Sequence, residues 1–345
     1  MRLFLLLFLT VSILFVSCIG KQTTQNEPVT FPKTEPIVAL DSINLDEYDI
    51  FNPRRLVILN DSLWIALGDG DEDCLCLLDA SGSVRARGIR IGQGPHELLE
   101  LTSLHRSSLG VIVYDARKGV IYALHCQEGN ITLEPIASKL VLLDDAFPLV
   151  DGTVLEVPVV ESYSYALLNA DGIVLDSLKY FPDKPENISD FTHRLACTGR
   201  TAVLPFKKRF ARTLVYDGGI DFFGFDSGKL KHLARQQEFP MDYEVISATQ
   251  LVPTFSETSR VGYRSLTASD EYYYALFSDE RVLNHEQKGC REIHSFTSEG
   301  MPWCKYVLDR NLFGMAVKAD DSIIYGIGKK DDDSSMLYVY RIDSV

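Results

Sequence analysis

The sequence predicts an all-β protein folded as a six-bladed β-propeller. Beyond residue 35, helical periodicity is scarce, and short runs rich in Val, Ile, Leu, Tyr and Phe alternate with turn residues. A unit made of a strand, a glycine turn and a second strand recurs along this region. The last unit is one strand short, and the segment before the first unit offers a strand that can complete it. Together these observations favour a closed ring of blades.

The recurring unit is marked by its turn glycine. Glycine adopts the left-handed backbone conformation that short hairpin loops of three to five residues require. The glycines are separated by 47, 43, 56 and 72 residues, against roughly 40 to 50 residues for one propeller blade. The two longer intervals predict loop insertions in the fourth and fifth units. The five positions are Gly82, Gly129, Gly172, Gly228 and Gly300.

A second hairpin precedes each glycine turn, as in "RRLVILNDSLWIALGDG", so each unit offers about four strands. The last unit, "LFGMAVKADDSIIYGIGKKDDDSSMLYVYRIDSV", offers three. The segment Glu35 to Ile43, "EPIVALDSI", can supply the fourth and close the ring, which removes exposed sheet edges. A β-sandwich does not explain the repeat, and a solenoid does not explain the missing strand. Residues 35–345 are therefore predicted to form one propeller domain.

The N-terminus has the features of an export signal. Arg2 precedes an apolar run of 14 residues, Leu3 to Val16, which is shorter than the roughly 20 residues of a membrane-spanning helix. Ser17 and Cys18 then follow, as at a bacterial lipoprotein processing site, although Phe15 stands where leucine is usual. An ordinary secretory signal cleaved nearby is the alternative.

This interpretation divides the chain into residues 1–17 as a lipoprotein signal peptide, residues 18–34 as a flexible tether, and the propeller. Lipidated Cys18 would hold the protein to a membrane through acyl chains. The segment "IGKQTTQNEPVTFPKTEP" is polar with three prolines, which is typical of a tether. It has no acidic run after the cysteine, which favours the periplasmic side of a Gram-negative outer membrane over surface exposure.

The formal net charge of −14 argues against a nucleic-acid partner, because an acidic surface repels phosphate backbones. Export permits disulfides, but the chain is large enough to bury its own core and lacks the spacing of a cystine-rich domain. Cys74 and Cys76 are interpreted as small buried residues that share one face of a strand. The sequence has no paired Cys/His spacing of a zinc site.

The segment "IRIGQGPHELLE" resembles the G-x-G-P-x-E segment of exported six-bladed propellers of the TolB-like lipoprotein group, and more distantly the blade junction of NHL repeats. "YYYALFSDERVLN" and "SIIYGIG" resemble late blades of the same group. The resemblance covers most of residues 35–345. It implies a propeller fold and an envelope location, and it implies no particular reaction.

The glycine-rich segment is predicted to be the connection from blade one to blade two. Gly92 and Gly94 would permit unusual backbone angles, Pro95 would open a helical turn, and Glu97 could accept backbone N–H bonds. A ligand-binding loop is the alternative, and both roles are compatible. His96 does not begin a zinc-protease motif, since no second histidine follows at the required spacing.

Two acidic turns, "GDGDEDC" and "KKDDDSS", are predicted to occupy equivalent positions in the first and last units. Asp69, Asp71 and Asp73 alternate as in a calcium loop, but Cys74 and Ala80 stand where an EF-hand needs Gly and Glu. The turns are therefore interpreted as solvated, on an acidic face that attracts cations weakly.

The leading functional hypothesis is a non-enzymatic binding module for a glycan, a peptide or a partner protein of the envelope. We expect the ligand to lie on the face formed by the connections between blades and the central turn of each blade. The candidate residues on this face are His96, Glu97, Arg209, Arg212, Arg281 and His285. No catalytic residue, metal ligand or cofactor motif is identified. The alternatives are a propeller hydrolase, lactonase or lyase with an active site at the central channel, and a structural subunit of an envelope complex.

Overall fold

The computed structural model describes residues 28–68, 72–138, 140, 143–159, 162–182, 184, 188–244, 252–283 and 288–342. The predicted signal peptide and Cys18 lie outside these residues. In the part of the chain that is described, no helix is long and apolar enough to cross a membrane.

The described chain is built almost entirely from antiparallel strands in groups of four. The strands of the N-terminal segment and of the first three groups are β1 (Thr34–Ile37), β2 (Asp41–Asn44), β3 (Pro53–Leu59), β4 (Ser62–Leu67), β5 (Leu75–Leu78), β6 (Val84–Gly88), β7 (Ser103–Ser107), β8 (Gly110–Asp115), β9 (Val120–Gln127), β10 (Asn130–Ala137), β11 (Leu143–Pro148), β12 (Val154–Pro158), β13 (Tyr165–Leu168) and β14 (Val174–Leu178). The remaining strands are β15 (Gly199–Leu204), β16 (Arg209–Leu214), β17 (Gly219–Gly224), β18 (Lys231–Gln237), β19 (Tyr263–Ala268), β20 (Tyr272–Phe277), β21 (Cys290–Thr297), β22 (Pro302–Val317), β23 (Ile323–Lys329) and β24 (Ser335–Arg341).

Each group is one blade, with strands named A to D from the axis outwards. Blades one to four are the sheets β3–β6, β7–β10, β11–β14 and β15–β18. Blades five and six share β22, whose first half pairs with β21 as strand D and whose second half pairs with β23 as strand A. The fourth strand of blade six is β2, which pairs antiparallel with β24. A six-bladed all-β architecture is thus confirmed.

Packing between neighbouring blades forms the core. The buried apolar residues that the structure describes fall into six clusters, and each cluster joins two adjacent blades. One of them packs Ile58 and Ile65 of blade one against Ile327 and Leu337 of blade six. Successive side chains of a strand point to opposite faces of its sheet, so alternate residues of one blade pack against the blade on either side.

The five predicted turn glycines all lie in C-to-D turns and all have positive φ, between 69° and 86°. The predicted insertion in the fourth unit contains helix α1 (Asp190–Ala196), which begins at Ser189, whose hydroxyl accepts a hydrogen bond from the Thr192 N–H. Cys74 and Cys76 are buried as predicted. They do not share a face, however, because Cys74 precedes β5 and packs towards blade two while Cys76 packs towards blade six.

The N-terminal segment lies against the outer part of blade five. Strand β1 pairs in parallel with the first half of β22. Before it, Val29 and Phe31 pack on the cluster between blades four and five, and the ring of Phe31 lies 4.6 Å from that of His294. These contacts begin within the segment for which the sequence predicts a tether.

Candidate functional site

The six A strands enclose a polar cavity on the propeller axis, of about 150 Å³. Every blade contributes residues to its wall. Five of the charged wall residues are arginines and one is a carboxylate, so the cavity is basic although the protein is strongly acidic. The charged and ionisable wall residues are Arg54, Arg55, His105, Arg106, Asp145, Arg200 and Arg264.

Two of these arginines face each other from opposite sides of the ring. Arg55 lies on β3 of blade one and Arg200 on β15 of blade four, and both side chains are half-buried. Among the described residues, neither guanidinium takes part in a hydrogen bond or an ion pair. Burial, together with the positive charge of Arg200, lowers the pKa of Arg55 to about 10.

The carboxylate in the wall is already engaged. Asp145 on β11 is buried, and its Oδ1 lies 2.7 Å from Nε2 of His105 on β7. Burial alone would raise the pKa of Asp145, but the neighbouring His105 and Arg55 hold it below its ordinary value. The His105 ring also packs against Phe147, with ring centres 4.2 Å apart. Asp145 is therefore an ionised group that is held in place by His105.

Two further arginines of the wall form ion pairs with carboxylates. Arg106 on β7 donates to Asp270 at 2.9 Å, and Arg264 on β19 donates to Glu280 at 2.9 Å. Arg55, Arg200 and Arg264 lie near the beginnings of their A strands, at the end of the cavity that faces the D-to-A connections. We call this end the channel mouth. Arg106 lies near the opposite end, where the A-to-B turns are.

The glycine-rich segment connects blade one to blade two and is held by local hydrogen bonds. Oε2 of Glu97 accepts a hydrogen bond from the Gly94 N–H at 2.6 Å, and the Lys118 ammonium donates to the Glu97 carbonyl oxygen at 2.6 Å. The sequence predicts that Gly92 and Gly94 permit unusual backbone angles, but neither residue has a left-handed φ. Space at Gly92 is limited by the Glu97 side chain, because a Cβ there would lie 2.2 Å from Oε2 of Glu97 and the carboxylate would have to move. Pro95 lies in a plain turn.

The other predicted face residues are dispersed. Arg209 follows the A-to-B turn of blade four, so its predicted position on the D-to-A face is wrong, and it pairs with Asp226 at 2.8 Å. Arg212 is buried and pairs with Asp144 at 2.6 Å, which raises its pKa despite burial. His96 and Arg281 are exposed on connections of the predicted face. His285 lies outside the described residues.

The acidic turns occupy the predicted B-to-C positions of blades one and six. Asp69 and Asp71 lie outside the described residues. In the last unit, Asp332 accepts hydrogen bonds from the hydroxyl and backbone N–H of Ser334, so it stabilises its own turn. The described part of the chain contains no group of three or more His, Cys, Asp or Glu side chains that could hold a metal ion.

A cysteine and a histidine meet on α1 and the residue after it. Sγ of Cys197 lies 3.4 Å from Nε2 of His193. The same Nε2 lies 2.9 Å from the carbonyl oxygen of Pro182, which can only accept, so Nε2 carries the proton. Burial raises the pKa of the Cys197 thiol to about 12. His193 in this tautomer cannot take the thiol proton, so the geometry does not activate the cysteine as a nucleophile.

Sequence reasoning did not identify the arginines of the channel. Their signal is weak but readable once the blades are aligned, since a basic residue occurs in the A strands "PRRLVIL", "SLHRS", "GRTAVL" and "YRSLTA". Each of these short strands carries only one or two basic residues. Only the ring geometry brings them together.

Comparisons with known proteins agree with this architecture. A solved structure of a DUF4221 family member from Bacteroides vulgatus is similar, with a TM-score of 0.53 and 10% identity over 90% of this chain and 98% of that chain. A protein from Bacteroides fragilis that is described as exported gives a TM-score of 0.51 and 11% identity over 90% of this chain and 99% of that chain. At these identities the likeness shows the fold alone.

No curated protein is significantly similar to this chain in sequence. The model of the family described as TolB-like six-blade propeller-like matches residues 88–320, which is well over half of the chain. The strands described above fill this region with the blades that the family description requires. The chain therefore belongs to the TolB-like six-bladed β-propeller family.

Proposed function

We propose that this protein is an exported, lipid-anchored propeller of the cell envelope that binds a small anionic ligand in its axial channel. The observation that carries the proposal is the pair of guanidiniums, Arg55 and Arg200, which line one cavity and form no ion pair with the described residues. Two like charges held together in a confined space destabilise the unliganded protein. An arrangement that weakens the free protein and suits an anion is typical of a binding site.

The channel mouth lies on the face that the sequence analysis predicts for the ligand. His96 and Arg281 lie on connections of that face and are exposed. They are placed to contact parts of a larger ligand that extend beyond the cavity. An anionic glycan or an acidic peptide would both present groups that an arginine binds well.

The envelope location rests on the N-terminal sequence. Arg2, the apolar run that follows it and Cys18 form the pattern of a lipoprotein signal. The similar Bacteroides fragilis protein is described as exported. Metabolic labelling with an alkyne fatty acid tests the anchor: the wild-type protein should acquire the label, and Cys18→Ser should not. Equal labelling of both proteins would exclude acylation at Cys18.

Thermal unfolding of the isolated protein tests the channel. The double variant Arg55→Gln/Arg200→Gln should melt at a higher temperature than the wild type in the absence of added anions, because the repulsion is gone. Phosphate, sulfate and short carboxylates should stabilise the wild type and leave the double variant unchanged. Arg117→Gln, an exposed arginine paired with Glu100 on blade two, is the matched control. A double variant that melts lower than the wild type would show that the two arginines are structural.

The contact between His105 and Asp145 favours a second candidate function, catalysis by a propeller hydrolase, lactonase or lyase. A histidine oriented by a carboxylate can act as a general acid or base towards a ligand held by Arg55. Once a channel ligand is identified, its NMR spectrum after incubation with the protein shows whether the protein converts it to a product. Turnover that His105→Gln abolishes would support an enzyme, and an unchanged spectrum would exclude one.

A further inference from the structure

The charged groups in the channel wall indicate where the negative charges of a ligand would lie, in addition to the sign of its charge. Five of the seven ionisable wall groups already have partners: Arg106 pairs with Asp270, Arg264 pairs with Glu280, Asp145 and His105 pair with each other, and Arg54 also has an interaction of its own. A ligand need not neutralise these groups. The positive charge that lacks a partner is therefore concentrated at two points, Arg55 and Arg200.

These two points are separated across the ring. Arg55 belongs to blade one and Arg200 to blade four, and three blades separate them in either direction around a six-bladed ring. The planar guanidinium of arginine donates two parallel hydrogen bonds and matches one carboxylate. Two such groups on opposite walls can each bind one carboxylate of a ligand that carries two.

The wall between the two arginines is partly apolar. Leu266 of blade five and Phe313 of blade six line the cavity and are half-buried, which leaves part of each side chain exposed to it. A short aliphatic segment between two carboxylates would cover this surface and remove it from water. The cavity volume of about 150 Å³ lies below the range of roughly 300 to 1,000 Å³ for pockets that hold drug-sized ligands. The group held in the channel is therefore small.

We propose that the channel binds a short dicarboxylate, either free or as the acidic end of a larger molecule, with one carboxylate on Arg55 and the other on Arg200. This inference rests on the proposed anion-binding function and specifies its ligand. Free dicarboxylates and a dicarboxylate end group share the chemistry that the two arginines recognise. They differ in whether exposed residues outside the cavity contribute to affinity.

Isothermal titration calorimetry with a length series tests the inference. The probes are malonate, succinate, glutarate and adipate, with butyrate as the monocarboxylate and inorganic phosphate as the compact anion. We expect one chain length to bind at least tenfold more tightly than butyrate, since both arginines are engaged only when the carboxylates span the cavity. Arg55→Gln and Arg200→Gln should each reduce the affinity for that dicarboxylate to the level of butyrate. Arg117→Gln should bind like the wild type.

Each result decides a separate statement. If butyrate or phosphate binds as tightly as the best dicarboxylate, the two-carboxylate inference is overturned while anion binding in the channel stands. If none of the probes binds the wild type, the inference and the proposed function fail together. If a dicarboxylate binds and only one of the two arginine variants weakens it, the spanning arrangement is wrong. A short peptide with a C-terminal glutamate serves as the larger probe, and weaker binding of this peptide to Arg281→Gln than to the wild type would identify the ligand as an end group rather than a free dicarboxylate.

Discussion

Arg106 of blade two donates a hydrogen bond across the axial channel to Asp270 of blade five, at 2.9 Å. The same guanidinium donates to the carbonyl oxygen of Ser269 at 2.8 Å. Blades two and five are opposite each other in the ring, so this side chain crosses the axis near the A-to-B end. The channel thus has a neutralised arginine across one end and two arginines without ion pairs at its mouth.

We expect Arg106→Ala to destabilise the protein more than Asp270→Asn does. Asp270 is exposed, and an exposed ion pair contributes about 1 kcal/mol or less to the free energy of unfolding. The hydrogen bonds to backbone carbonyls are charge-assisted and half-buried, and they contribute roughly 1.5–3 kcal/mol. Urea unfolding measures both variants. Equal losses would mean that the ion pair, rather than the carbonyl contacts, holds the side chain across the channel.

Gly92→Ala should destabilise the connection between blades one and two by about 1 kcal/mol, because the new methyl group would push the Glu97 carboxylate out of its hydrogen bond with the Gly94 N–H. Gly88→Ala is the matched control. Its Cβ would lie 3.5 Å from that of Ile131, an ordinary contact, and its backbone is not left-handed. Chemical denaturation of both variants checks the difference. Similar stabilities of the two would show that the connection yields easily and that Gly92 is not required for space.

The fold could be predicted because it depends on local signals that repeat. A turn glycine such as Gly172 marks its hairpin without reference to the rest of the chain, and five such glycines, at or above the spacing of one blade, indicate the repeat. Even the acidic B-to-C turns of blades one and six could be placed in this way. The helix α1 was not predicted, since seven residues within an insertion carry too little periodicity.

The candidate site could not be predicted because it is assembled by the closure of the ring. Arg55 and Arg200 are 145 residues apart in the sequence, and each is unremarkable in its own strand. The position of Arg209 was predicted wrongly for a related reason. A basic cluster such as "KKRFAR" predicts exposed residues. Which face of the propeller they lie on depends on where the neighbouring strands begin and end. Glu97 was predicted well, since its backbone hydrogen bond is local.

Asp145→Asn should destabilise the protein by about 3 kcal/mol at pH 7, because loss of a buried carboxylate leaves its charged neighbours without compensation. The pKa of Asp145 is lowered in the folded protein, so its contribution is fully present above the unfolded pKa of about 3.9. The contribution is lost as the pH falls through the folded pKa. Unfolding free energies of wild type and variant should therefore differ by a constant amount at neutral pH and converge below about pH 4.

Asp176→Asn is the control for this pH dependence. Asp176 also has a lowered pKa, but it lies on the outer strand of blade three, where it accepts a hydrogen bond from the Leu230 N–H and pairs with Lys229. It should show the same direction of change with a smaller amplitude, since its ion pair is exposed. A difference between wild type and Asp145→Asn that persists at low pH would mean that the loss comes from packing rather than from the charge.

Cysteine alkylation of the native protein should distinguish the half-buried Cys126 from the buried thiols. Burial raises the pKa of Cys74, Cys197 and Cys290 to about 12, so these thiols are neither ionised nor accessible at neutral pH. We expect iodoacetamide to modify Cys126 first and the others only when the protein unfolds, as measured by mass spectrometry of the digested protein. Labelling in urea, where all of these thiols should react, is the control. Rapid labelling of Cys197 in the native protein would show that His193 activates it after all, and would make the helix after blade three a catalytic candidate.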